Sequence, residues 1–186
     1  PIQSSKIVVP GFNTTANLLF QLYTKDDLKI LSSLNIAAKR YDEIMPSLIS
    51  EEFDYGLIIH EERFTYLERG LEKVVDLGEW WESYTGKPIP LGAISVKRNL
   101  NLELQKEVDT SIKKSLELAF LNPQKTKAYI KEHSQSLEDS VIEQHIQLYV
   151  NDFSLDLKEE GKQAIYTLYE TALSHGLIQS PKEDIF

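Results

Sequence analysis

Short apolar runs alternate with helix-like stretches along the first part of the chain. Lys6–Val9 is a β-branched run closed by a proline and a glycine, which predicts a strand that enters a turn. Residues 16–23 combine helix-forming and apolar positions and predict a helix that ends at residues 25–27. Residues 42–51 predict a second helix, which leads into a predicted strand over residues 55–59. This alternation predicts an α/β fold with a mainly parallel sheet and helices packed on its faces.

Two further strands and a short helix are predicted in the next part of the chain. Residues 73–77 and 91–96 have the composition of strands. Between them, residues 78–84 predict a short helix that ends at Gly86, because glycine adopts the left-handed conformation that commonly follows a helix. At Gly92 a ligand or another backbone could approach closely, although this segment also fits the plain start of a strand.

The rest of the chain is predicted to be helical. Residues 104–119 repeat apolar side chains at helical spacing until an Asn-Pro pair ends the helix, and residues 126–133 begin another. Residues 141–149 and 164–172 predict two more helices, the last of which stops before Gly176. We therefore expect an α/β part with cleft-lining loops over residues 1–97, followed by a helical segment over residues 98–186.

Composition excludes several classes of protein. The chain has 186 residues and a net charge of −9 with no basic stripe, so a nucleic-acid partner is not expected. It contains no cysteine, which removes disulfides, zinc–thiolate sites, iron–sulfur clusters and cysteine nucleophiles. No run approaches the roughly 18 apolar residues that a membrane-spanning helix needs. We expect a soluble cytoplasmic protein with no membrane partner.

His60 is the first candidate for chemistry. It follows the apolar run of residues 55–59 at once, and open α/β sheets place ligands beyond the carboxyl ends of such strands. Histidine titrates near neutral pH, so an imidazole fixed beside carboxylates suits a general base. The alternative is a histidine that only caps the strand. The adjoining residues 61–63, Glu-Glu-Arg, are interpreted as a solvated loop rather than a catalytic pair.

The turn after the first strand is the second candidate. Asn13, Thr14 and Thr15 follow a Pro-Gly-Phe turn and precede the predicted helix. Backbone N–H groups and the positive end of a helix dipole can hold a carboxylate or phosphate there, with the threonine hydroxyls as further donors. Ordinary helix capping uses the same residues. The glycine spacing of nucleotide-binding loops is missing, so nucleotide binding is not supported.

Other residues that attract attention have simpler interpretations. Trp80 and Trp81 are neighbours on a predicted helix and cannot share one face, so one could line a cleft while the other packs, but core packing is favoured for both. His133, His145 and His175 lack the spacing that would assemble a metal site. We expect surface or core-edge roles for these three histidines.

Taken together, residues 10–19, 56–66 and 76–94 resemble the 1,4-dihydroxy-6-naphthoate synthase family of the futalosine route to menaquinone. Residues 144–153 also fit, so the resemblance runs almost from end to end. The sister family of chorismate dehydratases is similar in fold but resembles the histidine loop and the Trp-Trp segment less well.

The resemblance implies a two-lobed fold of the type II periplasmic-binding-protein kind, with the ligand between the lobes. It implies a carbon–carbon lyase that acts on cyclic dehypoxanthinylfutalosine, without a metal or organic cofactor. His60 matches the family's base. Thr14 and Thr15 match its ligand-binding threonines, with Asn13 beside them, and Leu91, Gly92 and Ala93 would line the pocket.

The family normally has a further segment before the part that this chain matches. The chain starts at Pro1, and we expect most of a first lobe to be missing from it, which would impair turnover. Apolar helix faces would then be exposed, so we also expect a homo-oligomer. Two other functions stay open on the sequence: a non-catalytic binder of a small aromatic carboxylate, and the chorismate dehydratase activity.

Overall fold

The computed structural model describes residues 5–25, 35–134 and 138–186. The predicted end of the first helix lies partly outside these ranges, because Asp26 and Asp27 are not among them. In chain order the elements are β1 (Lys6–Val9), α1 (Thr15–Thr24), β2 (Asn35–Ala38), a 3₁₀ helix (Tyr41–Glu43), α2 (Ile44–Ile49), β3 (Tyr55–Gly56), two 3₁₀ helices (His60–Phe64 and Leu67–Arg69), α3 (Leu77–Thr85), α4 (Leu102–Leu121), α5 (Pro123–His133), α6 (Asp139–Tyr149), α7 (Asp152–Leu155) and α8 (Lys158–Ser174).

The predicted parallel sheet is confirmed. It has three strands in the order β2-β1-β3, and β1 pairs in parallel with both neighbours. All three residues Ile7, Val8 and Val9 of the central strand are buried, as a strand covered on both faces requires. The fold is therefore an α/β arrangement of a small parallel sheet and many helices, as the sequence predicts at this level.

Three predicted strands need correction. The strand predicted over residues 55–59 contains only Tyr55 and Gly56, because β1 ends at Val9 and the next residue, Pro10, has no N–H to extend the ladder. Residues 73–76 form no strand, and the exposed side chain of Val74 shows that neither face is covered there. Residues 91–96 are also without regular structure and exposed.

The helix predictions are confirmed with small shifts of their ends. Thr14 caps α1 through its side chain, which accepts a hydrogen bond from the Asn17 N–H. Asp76 caps α3, and Gly86 follows this helix with φ of 66° in the left-handed region. These ends were predictable because a cap depends on a few neighbouring residues.

The chain divides into two compact units. The first unit is formed by residues 1–90 and 163–186, and the second by residues 91–162. In the first unit α1 separates two apolar clusters. One contains Leu19, Leu22, Trp81 and Leu168, and the other contains Ile7, Val9 and Phe20.

The second unit is made of helices with little enclosed surface. Leu102, Leu118 and Leu121 on α4 are 70%, 63% and 76% exposed. Among the described residues of this unit, the buried position is Gly161, which lies on α8.

Across the described part of the chain, no helix combines the length and the apolar character that crossing a bilayer demands.

Candidate active site at the carboxyl edge of the sheet

The three parallel strands direct their following loops to one edge, which we call the carboxyl edge. Thr14 follows β1, Tyr41 follows β2 and His60 follows β3. In the order β2-β1-β3 the chain crosses from one side of the central strand to the other, which makes a topological switch point beside β1. Open α/β sheets bind ligands at such a point.

His60 has an unusual backbone conformation. Its φ is 56°, in the left-handed region, while the preceding Ile59 is extended with φ of −131° and ψ of 179°. Histidine is one of the non-glycine residues that adopt this region more often than most, but the conformation still costs about 1 kcal/mol. Strained residues of this kind concentrate at functional sites, so the geometry agrees with the sequence prediction for His60 without testing its chemical role.

The half-buried His60 ring contacts Tyr41. The two ring centroids are 4.7 Å apart and the planes meet at 63°, an edge-on arrangement that aromatic rings favour. Because β2 and β3 flank β1, the loops after the two outer strands meet across the end of the central one. The structure thus brings together two residues that are far apart in sequence.

The Tyr41 loop is held by charged neighbours. The Arg40 guanidinium donates to both carboxylate oxygens of Asp42, at 2.6 Å each, and the Arg40 N–H donates to Glu43 Oε2 at 3.2 Å. Burial, and then the negative charges of Glu61 and Asp42, raise the pKa of the Tyr41 phenol. Tyr41 therefore remains neutral across the physiological pH range.

Glu62 lies in the same 3₁₀ helix as His60. The sequence interpretation of residues 61–63 as a solvated loop does not hold for Glu62. The residue is half-buried, and its Oε2 is buried with no hydrogen-bond partner among the described residues. Burial first, followed by the charges of Glu61 and Asp42, raises the pKa of the Glu62 carboxyl to about 7, while Arg69 lowers it. The carboxyl edge therefore carries a carboxyl group whose pKa is raised toward neutral pH.

Arg63, the next residue, is tied to the start of α3. Its Nη2 donates to Asp76 Oδ2 at 3.1 Å, in a partly buried pair. The other oxygen of Asp76 accepts from the N–H groups of Gly78 and Glu79. The loop that carries His60 is therefore anchored to a helix of the core rather than extended into solvent.

The turn between β1 and α1 contains a glycine at positive φ and side-chain hydrogen bonds that cap the helix. Gly11 has φ of 141°, which only glycine adopts readily. The Thr14 hydroxyl donates to Gly11 O at 2.8 Å and accepts from the Asn17 N–H at 3.2 Å. Asn17 is buried and donates to Phe12 O. The capping role of Thr14 is confirmed, and anion binding by this turn stays a prediction.

The remaining predicted site residues lie elsewhere. Asn13 is exposed in the turn before α1. Leu91, Gly92 and Ala93 belong to the second unit, where they are exposed and without regular structure. A Cβ added at Gly92 would meet no atom within 4 Å, so this position has open space beside it.

Core packing is confirmed for Trp81, which is fully buried. Trp80 is half-buried and stacks on Tyr84 at 5.4 Å between centroids.

Two surface depressions of about 600 and 310 Å³ are lined by residues of the second unit, and none of the predicted site residues lines them. Among the described residues, no group of three or more His, Cys, Asp or Glu side chains is arranged for a metal ion.

Sequence reasoning missed Tyr41, Asp76 and the burial of Glu62. Tyr41 follows β2, whose Asn-Ile-Ala-Ala sequence is too short and too weakly β-forming to indicate a strand. Asp76 was recoverable, because an aspartate before a helical pattern that begins at Leu77 is a capping residue.

The fold defines an open parallel α/β protein whose candidate site residues follow the ends of its strands. The sequence profile of the family described as "Menaquinone biosynthesis" matches residues 1–174. The chain therefore belongs to the menaquinone biosynthesis family, which confirms the resemblance seen in the sequence.

Curated relatives agree with this assignment. A 1,4-dihydroxy-6-naphthoate synthase of Thermus thermophilus is 40% identical over 185 residues, which cover 100% of this chain and 65% of the relative. A protein of the same name from Streptomyces coelicolor is 39% identical over 177 residues, which cover 95% of this chain and 62% of the relative.

A solved structure shares the fold. The crystal structure of a protein from Archaeoglobus fulgidus superposes with a TM-score of 0.87 at 33% identity, over 95% of this chain and 64% of that one. The chain thus spans just under two thirds of the length of each of these proteins.

Proposed function

We propose that the protein is a carbon–carbon lyase that converts cyclic dehypoxanthinylfutalosine into 1,4-dihydroxy-6-naphthoate. Both curated relatives described above bear the name of this synthase, and their identity to the chain extends over 95–100% of it. Menaquinone biosynthesis is the family's described role. The observation that carries the proposal within the chain is the left-handed His60 at the carboxyl edge.

His60 acts in this proposal as the general base. In the proposed step the His60 imidazole accepts the proton of a substrate hydroxyl, and the electron pair of that O–H bond forms a carbonyl. The electron pair of the adjacent carbon–carbon bond stays on the departing carbon, which then takes the proton back from the imidazolium. A neutral imidazole suits this step at neutral pH. The contact of the His60 ring with Tyr41 supports the role, because proton transfer requires a defined distance and direction.

The start of α1 is proposed to hold the substrate carboxylate. The first helical turn presents backbone N–H groups and the positive end of the helix dipole, beside Thr15. The single proton of the Thr14 hydroxyl is already donated to Gly11 O, so Thr14 acts mainly by shaping the turn. Asn13, at the exposed side of the turn, is proposed as a further contact.

The two-lobed fold of the type II periplasmic-binding-protein kind belongs to the same proposal. Residues 1–97 are proposed as a lobe and residues 98–186 as the helical segment, although the compact units divide the chain differently, with residues 163–186 in one unit with residues 1–90. Leu91, Gly92 and Ala93, which are exposed, are proposed to line the pocket because they match the family's pocket segment. The exposed leucines of α4 support a homo-oligomer, and the biosynthetic role of the family supports a cytoplasmic location.

Purified full-length protein supplied with cyclic dehypoxanthinylfutalosine tests the proposal, with the product followed by liquid chromatography and mass spectrometry. Dihydroxynaphthoate should form, and His60→Asn should lower kcat by about a hundredfold or more, the usual contribution of a general base. Asparagine is chosen because it tolerates the left-handed backbone. His133→Asn, at an exposed helical position, is the control and should leave kcat unchanged.

Two results would reject the proposal. Full-length protein that is folded but forms no product would remove the lyase activity. Product formation at an unchanged rate in His60→Asn would keep the activity but reassign His60 as a structural residue.

A further inference from the structure

The contact between Tyr41 and His60 joins the loops after two strands that are not neighbours in the sheet. β2 and β3 lie on opposite sides of β1, so each loop must reach across the end of the central strand. The rings meet edge-on with centroids 4.7 Å apart. This long-range contact limits the orientation of the imidazole from outside its own short 3₁₀ helix, His60–Phe64.

We propose that Tyr41 is a positioning residue for His60, whose ring fixes the orientation of the imidazole at the carboxyl edge. The inference rests on the proposed function, because the orientation of His60 matters for turnover only if His60 is the base. Tyr41 is assigned no contact with the substrate.

The backbone of one loop and the hydrogen bonds of the other support this role. The φ of 56° at His60 fixes the direction in which its Cα–Cβ bond leaves the backbone, but rotation about the side-chain bonds remains. Tyr41 lies between Arg40 and Asp42, which form a two-point ion pair, and the Arg40 N–H is bound by Glu43. A ring held in this way limits the rotamers of the ring that it touches.

The aromatic ring, rather than the hydroxyl, carries the effect. Tyr41 is half-buried, and the charged groups around it are Asp42, Glu61 and Glu62, opposed by Arg40. Burial, and then the negative charges, raise the pKa of the Tyr41 phenol, so Tyr41 is neutral and contributes no ion to the His60 environment. Phenylalanine should therefore replace it well, whereas an aliphatic residue of similar volume should not.

Turnover of Tyr41→Leu and Tyr41→Phe in the full-length protein tests the role. Tyr41→Leu should lower kcat by about tenfold or more, the scale of a misplaced catalytic group, and change KM by less than about twofold. Tyr41→Phe should keep at least about half of kcat, because the ring is retained. Tyr129→Leu is the matched control: Tyr129 makes a similar edge-on contact with His133 on α5, at 4.3 Å and 62°, and should leave both constants unchanged.

The orientation of the His60 ring can be measured without turnover. In protein labelled at histidine, the His60 ring signals are assigned by their loss in His60→Asn. Nuclear Overhauser contacts between the Tyr41 and His60 rings are expected in the unmodified protein. The His60 signals should shift in Tyr41→Leu and stay near their original position in Tyr41→Phe.

Each outcome decides the proposal. Absence of the ring-to-ring Overhauser contact overturns it even if Tyr41→Leu does not fold. A His60 signal that shifts while kcat of Tyr41→Leu equals that of the unmodified protein also overturns it. If the unmodified protein has no lyase activity, the proposed function fails. A shift of the His60 ring signals in Tyr41→Leu but not in Tyr41→Phe still supports the positioning contact by itself.

Discussion

Arg63 and Asp76 link the His60 loop to helix α3. Arg63 Nη2 donates to Asp76 Oδ2 at 3.1 Å, while Asp76 Oδ1 accepts the N–H groups of Gly78 and Glu79 at 2.9 and 3.2 Å. One carboxylate therefore caps the helix and holds the loop. Trp81, on the same helix, is fully buried in the core, so the loop is connected to the best-packed part of the first unit.

Replacement of Asp76 should separate these two roles. Asp76→Ala removes the cap and the ion pair, and we expect the free energy of unfolding to fall by about 1–2 kcal/mol. Asp76→Asn keeps a capping oxygen and loses the charge, so its cost should be less than half as large. Urea denaturation measures both. Equal losses in the two variants would show that the ion pair, not the cap, is the stabilising part.

Glu62 should make the stability of the protein depend on pH. Its carboxyl pKa is raised from 4.5 to about 7 in the folded protein. Between these values the folded protein keeps a proton that the unfolded chain has released, so stability is fully present below the lower value and falls as pH rises through the upper one. Because Glu62 is only half-buried, solvent screening makes the fall smaller than the full shift implies.

Glu62→Gln should remove this dependence. We expect the variant to gain stability relative to the unmodified protein at about pH 8 and to gain little at about pH 5, as measured by urea midpoints. Glu68→Gln, at an exposed position of the next 3₁₀ helix, is the matched control and should not alter the pH profile. A profile that Glu62→Gln leaves unchanged would contradict the raised pKa.

Thr14 and Thr15 should respond differently to truncation. Thr14→Ala removes the cap of α1 and should cost about 1 kcal/mol of stability, whereas Thr14→Ser keeps the hydroxyl and most of that stability. Thr15→Ala leaves the Thr14 cap in place, so it should cost less stability than Thr14→Ala. If Thr15 helps to hold the carboxylate, its loss should raise KM by about tenfold. Steady-state kinetics would contradict this role if KM were unaffected.

Gly56 is required by close packing at the end of β3. A Cβ at this position would lie 2.8 Å from Ile44 Cγ2, 2.9 Å from Leu48 Cδ1 and 3.2 Å from Val8 Cγ1. We expect Gly56→Ala to destabilise the protein by about 1–3 kcal/mol through overpacking. Gly92→Ala, which has open space around the added methyl group, should change stability by less than about 0.5 kcal/mol. Similar melting temperatures for the two variants would contradict the packing argument.

The sequence predicted those parts of the fold that depend on near neighbours. The ends of α1 and α3 follow from Thr14 and Gly86, because caps and left-handed glycines act within one turn. The strands predicted over residues 73–77 and over residues 91–96 were wrong, because β-branched composition does not show whether a partner strand or a covering layer exists.

The candidate site was predictable at His60 and less so around it. The apolar run before His60 places this residue after the third strand from local sequence alone, although β3 ends at Gly56 and not at Ile59. The contact with Tyr41 and the burial of Glu62 depend on how β2 and β3 flank β1, which no local pattern specifies. The composition of residues 61–63 indicates polarity, but not the desolvation that the fold imposes on Glu62.

The left-handed backbone at His60 limits which other bases could serve in its place. A lysine or glutamate could accept a proton in principle, but either would have to adopt a conformation that its side chain disfavours. Asparagine and glycine fit the backbone and cannot act as a base. Histidine satisfies both requirements at once. Aspartate also tolerates this backbone, but its carboxylate is a much weaker base on a shorter side chain, so a substitution series at this position should find at most a poor replacement in aspartate.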